Sequence, residues 1–94
     1  MNFSTSFVGA DIAGAGIVSD ISVNGCAFVT EKQLTEASVI RLTLQISNEL
    51  KPVDIEAAVV RHVRQDGRVG VEFLHVQPAE HERLQLFIRG LRRE

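Results

Sequence analysis

The tightest constraint on this chain is a strict two-residue alternation in residues 38 to 47, SVIRLTLQIS. Ile40, Leu42, Leu44 and Ile46 fall on one side of an extended backbone, and Arg41, Thr43, Gln45 and Ser47 on the other. Successive strand side chains point to opposite faces, so the pattern describes a half-buried antiparallel strand. Such a strand needs partners, and the neighbouring sequence supplies them. Residues 53 to 64, VDIEAAVVRHVR, alternate with Val53, Ile55, Ala57 and Val59 inward. RVGVEFL, from Arg68 to Leu74, places Val69, Val71 and Phe73 on one face. Asp66-Gly67 lies between these runs and tolerates the positive φ of tight turns, so residues 53 to 74 are expected to form one long β-hairpin. Upstream, GIVSDIS and GCAFVT read as a second hairpin broken at Val23-Asn24-Gly25, and NFSTSFV as a further strand.

The pattern changes at Pro78. Proline suits a first helical turn, and Glu80 and Glu82 suit its positive end. Leu84, Phe87, Ile88 and Leu91 then follow the i, i+3, i+4, i+7 spacing of one apolar helical face, with Arg89, Arg92 and Arg93 at the negative end. A helix over roughly Ala79 to Arg92 is expected. The fold class is therefore mainly β, a small six-stranded antiparallel barrel with one C-terminal helix capping or flanking it. The 94 residues are enough for one domain, residues 1–94.

A net charge of -2 supplies no basic field for DNA or RNA. The apolar runs are too short to insert in a bilayer as helices, and residues 1 to 19 lack the basic start of a signal peptide. The single cysteine, Cys26, rules out an internal disulfide, and the cytoplasm is the expected location.

The most informative stretch is Asp20-Ile21-Ser22-Val23-Asn24-Gly25, a DxSxxG string. Asp20 can accept from the N1 and N2 donors of a guanine, and the Ser22 hydroxyl can donate or accept. Gly25 removes a side chain where backbone turns or a ligand approaches closely, and Asn24 tolerates a left-handed conformation beside it. The same string is also good turn chemistry in its own right. Its surroundings add order: a strand enters the motif, a small apolar strand leaves it, then come Val60-Arg61, Gly70-Val71-Glu72-Phe73 and the closing helix. In this order, from about Gly14 to Leu91, the chain resembles the PilZ family of bacterial cyclic di-GMP receptors. The resemblance implies a regulatory domain of second-messenger signalling, not an enzyme, with Asp20, Ser22 and Gly25 as ligand-binding residues and no cofactor.

One part of the family pattern is missing. Cyclic di-GMP receptors of this family carry an RxxxR motif N-terminal to DxSxxG, whose guanidinium groups fork onto phosphates and guanine edges. Here no arginine or lysine precedes Lys32. The strings Arg64 to Arg68 and Arg89 to Arg93 both follow DxSxxG and correspond to a hairpin tip and a helix end. Three readings remain: an upstream segment of a larger protein supplies the arginines; the chain is a degenerate family member that binds a protein partner instead; or Arg61 or Arg41 substitutes. Cyclic di-GMP and a protein are accordingly the partners expected.

Catalytic and metal sites have little support. His62, His75 and His81 show no ligand spacing with Cys26 or each other, and Cys26 begins an apolar strand as a small buried hydrophobe. The nearest enzymatic alternative, a flavin-binding split barrel, is weakened by the absence of tryptophan and tyrosine.

Overall fold

The computed structural model describes residues 2–47 and 51–91. Six strands, β1 (Phe3–Val8), β2 (Ala13–Ile21), β3 (Gly25–Val29), β4 (Val39–Gln45), β5 (Val53–Val63) and β6 (Arg68–His75), are followed by α1 (Pro78–Leu91). The strands close into an antiparallel barrel in the order β1-β2-β3-β6-β5-β4. Every strand edge is thereby paired. The alternation in β4 is realised as read: Ile40, Leu42 and Leu44 are buried and Arg41 is exposed.

β5 departs from simple alternation. Val53 and Ile55 face inward as expected, but residues 56 and 57 together stand opposite Arg41, so Ala58 and Val60 join the core, Val59 is buried outside that cluster and Ala57 is only half-buried. A bulge inserts one residue on one strand and reverses every side chain after it. A second shift between Val60 and His62 leaves Arg61 and His62 both exposed. Val69 and Val71 are buried opposite, and Phe73 packs against the same core.

The hairpin tip also differs in detail. Only Gly67 has positive φ, at 89°, while Arg64 accepts from the Gly67 N–H at 3.1 Å. Asp66 accepts instead from the Arg68 N–H at 3.0 Å. The connection is thus a turn followed by one left-handed glycine.

The helix starts at Pro78 and is held to the barrel by its buried Leu84 and Ile88. Phe87 meets Phe3 edge-on with ring centroids 5.5 Å apart. Residues 92–94 lie outside the described residues, so the expected end at Arg92 and the contributions of Arg92 and Arg93 do as well. Register places the start of β1, the end of β4, the start of β5 and the β2–β3 turn at this helix-covered end of the barrel. The 64–67 tip and the loop from Thr30 to Leu34 lie at the other, where Leu34 is buried.

Polar contacts fix the helix to β5. Glu80 accepts from the Asp54 N–H at 2.9 Å and from Arg83 at 2.8 Å, while Arg83 also donates to the carbonyls of Lys51 and Pro52. The Asp54 N–H first, and Arg83 second, hold the Glu80 carboxyl below its ordinary range. A carboxyl depressed in the folded state contributes stability above its unfolded pKa, about 4.3 for glutamate, and that stability is lost as pH falls through the lower folded value. Glu80→Gln is therefore expected to cost stability at neutral pH, with the gap to the parent chain narrowing as the pH falls through and below about 4. Urea titrations of both proteins across that range measure the gap.

Ala37 has a φ of 70°, a left-handed conformation that costs an alanine roughly 1 kcal/mol. Its N–H donates to the Val60 carbonyl at 2.7 Å, which holds it there. Ala37→Gly should raise stability by about 0.5–1 kcal/mol, read as an upward shift of the urea midpoint at constant m-value.

Candidate functional site

β2 shows how the sequence places Asp20. Val18 is fully buried opposite Phe28, and in a regular strand Asp20 would share that inward face. A lone carboxylate in such a core is costly. The register shifts between Val18 and Asp20, leaving Ser19 and Asp20 both exposed and turning Ile21 toward Cys26 and the core. The bulge thus re-aims the carboxylate outward. Among the described residues Asp20 makes no hydrogen bond or ion pair, so its acceptor capacity is unspent.

The turn after it is closed by Ser22, not by Asp20. The Ser22 Oγ accepts from the Asn24 N–H at 3.2 Å, and the Ser22 N–H donates to the Gly25 carbonyl at 2.9 Å. The Asn24 carbonyl accepts from Phe73 N–H at 2.8 Å, fastening the turn to β6. Asn24 does not use the left-handed region that its residue type permits. Gly25 is needed for closeness and not for its φ: a Cβ there would overlap the Val71 carbonyl oxygen of the paired strand.

Asp20, Ser22, Asn24 and Gly25 line one shallow depression of about 420 Å³ with Ala27, Arg61, His62, Gly70 and Glu72. Arg61 is ion-paired there with Glu72, Nε at 2.8 Å and Nη2 at 2.6 Å from the same Oε1. Arg41 is not part of this group. It sits on β4 and pairs with Asp54 of β5. Lys32, the first basic residue of the chain, lines a separate groove of about 1020 Å³ at the opposite end, together with Arg64 and Asp66 of the hairpin tip. Cys26 touches the depression from below. Burial first, and the Asp20 charge second, push its thiol up to about 12, so it stays protonated and unreactive.

A sequence profile of the PilZ domain matches residues 4–90, nearly the whole chain. The chain belongs to the PilZ domain family. PilZ domains are regulatory, cyclic di-GMP-binding modules and not enzymes. The same fold is found in the PilZ domain of CeSA from a cellulose synthesizing bacterium, with a TM-score of 0.74 and 14% identity over 97% of this chain and 93% of that one. The Bacillus subtilis inhibitor of motility (MotI/DgrA) superposes with a TM-score of 0.75 and 20% identity, covering 100% of this chain and 49% of that one. This PilZ domain therefore spans about half of that protein. No curated protein matches its sequence.

Two residues of the PilZ domain's depression escape a reading by motif. Glu72 occupies Arg61, and His62 projects beside it because of the bulge in β5. Counting back from the Gly67 turn through an unbroken register sets His62 opposite Gly70 but would have turned Arg61 inward, because the bulge lies between Val60 and His62. The one legible sign was a histidine facing a glycine across a hairpin, since register pairs His62 with Gly70.

Proposed function

We propose that this chain is a regulatory, non-catalytic domain of bacterial cyclic di-GMP signalling that reads a guanine edge through Asp20 and the Ser22–Gly25 turn. The observation that carries this is the Asp20 carboxylate, turned out of the core by a bulge into the depression and without a hydrogen-bond or ion-pair partner among the described residues. A bare acceptor matches the N1 and N2 donors of guanine. Gly25 keeps the turn close to β6, and Asn24 lines the same surface. The phosphate side is poorly furnished. Among the described residues Arg61 is the one arginine that lines the depression, and Glu72 neutralises it. The isolated domain then binds the messenger weakly, and tight binding needs an upstream arginine segment. A cytoplasmic setting follows from this role. Asp20→Ala should remove the amide shifts that cyclic di-GMP causes at Ser22 and Gly25 in NMR titrations at high ligand concentration; unchanged shifts would refute the reading.

The second reading is a protein-interaction adaptor that does not bind the nucleotide. It is favoured by the larger groove at the opposite end, where Ile17 and Val29 pair across β2 and β3 with exposures of 48% and 41%. Exposed apolar neighbours rimmed by charge are the composition of a protein contact surface.

A further inference from the structure

Across the outer face of the barrel, register aligns Asp20 with Ala27, Ala27 with Gly70, and Gly70 with His62. This row crosses four strands, so its ends are about 14 Å apart along the sheet at ~4.8 Å per strand. Between them stand only a methyl group and a hydrogen. At the far end the imidazole leans over Gly70: a Cβ there would come within 3.0 Å of His62 Cδ2 and closer still to Cε1 and Nε2. The ring is nonetheless exposed, and no described residue hydrogen-bonds it. Two local features aim it there, the β5 bulge that turns Arg61 and His62 out together and the glycine that makes room.

We infer that His62 is a ring-stacking residue of this depression, receiving one planar heteroaromatic ring whose donor edge is turned toward Asp20. The inference rests on the guanine-reading role proposed for Asp20 and adds the surface against which the ring lies. An aromatic side chain backed by main chain on one side and open on the other is a stacking platform, tolerant of which base it meets. The hydrogen-bonding partner at the other end of the row supplies the selectivity that stacking lacks. A histidine placed only to shield a strand glycine would show the same cover over Gly70, so stability alone does not distinguish the two roles.

The test follows the His62 ring protons of the full chain by NMR at constant pH while guanosine 5′-monophosphate is added to millimolar concentration, with ribose 5-phosphate as control. Stacking predicts an upfield ring-current shift with the nucleotide and none with the sugar phosphate. His62→Phe, which keeps both cover and π-face, should retain the accompanying amide shifts at Ser22 and Gly25. His62→Ala should weaken them roughly five- to hundredfold in apparent affinity. Stationary His62 protons while the Ser22 and Gly25 amides respond would overturn the stacking role and leave Asp20's role standing. A His62 shift indifferent to Asp20→Ala would support stacking and overturn guanine selection. No response at either end, or equal His62 shifts with ribose 5-phosphate, would contradict the inference outright.

Discussion

Replacing Phe28 by alanine is expected to lower the stability of this domain by about 3–5 kcal/mol. Phe28 is fully buried, lies opposite Val18 across β2 and β3, and packs against Phe7 with ring centroids 5.7 Å apart. Truncation removes its apolar burial and leaves a cavity that a closed barrel cannot easily collapse, because each flanking strand is hydrogen-bonded on both edges. A domain of this size has on the order of 5–14 kcal/mol of stability in total, so the variant would be marginal. Urea denaturation should show a large fall in midpoint with little change in m-value. Val29, the next residue along, points outward at 41% exposure, and Val29→Ala should change stability by no more than about 0.5 kcal/mol. Comparable losses at both positions would contradict the assigned faces of β3.

The largest functional effect is a gain. Adding an Arg-x-x-x-Arg segment on the N-terminal side of this chain should tighten cyclic di-GMP binding by on the order of 10²- to 10⁴-fold. Charge-assisted hydrogen bonds are worth roughly 1.5–3 kcal/mol each, so two independent arginines supply about 3–6 kcal/mol, and each 1.4 kcal/mol is about tenfold. The depression already offers the guanine acceptor on Asp20, and among the described residues the arginine that lines it, Arg61, is held by Glu72. Calorimetry on the extended chain checks it. Two lysines in place of the arginines should recover much less, because an ammonium cannot fork onto a phosphate.

Much of the fold was legible because a strand's period is short and local. The alternation of Ile40, Leu42 and Leu44 needs only an extended backbone, and the spacing of Leu84 and Ile88 only a helix with one covered side. What the periodicity does not carry is where it breaks. Ala57 is expected inward and Ala58 is the buried residue, since the bulge answers to register with the neighbouring strand β4. The candidate site depends on the same kind of break. A regular β2 would have put Asp20 on the buried face of Val18; the shift after Val18 is what exposes it. Arg61 and Arg41 are both arginines on neighbouring strands, yet the β4–β5 register sets Arg41 beside residues 55–58 of β5, where it pairs with Asp54, and leaves Arg61 farther along β5 in the depression. The role of His62 is not legible from ligand spacing, because its contact with Gly70 exists only once β5 and β6 are paired.

Calorimetric titration of cyclic di-GMP into the unextended 94-residue chain tests the central claim most directly. A domain that presents Asp20 to a guanine edge, with Arg61 of the same depression neutralised by Glu72, should bind in the millimolar range or more weakly. Low-micromolar binding by these residues alone would contradict the account.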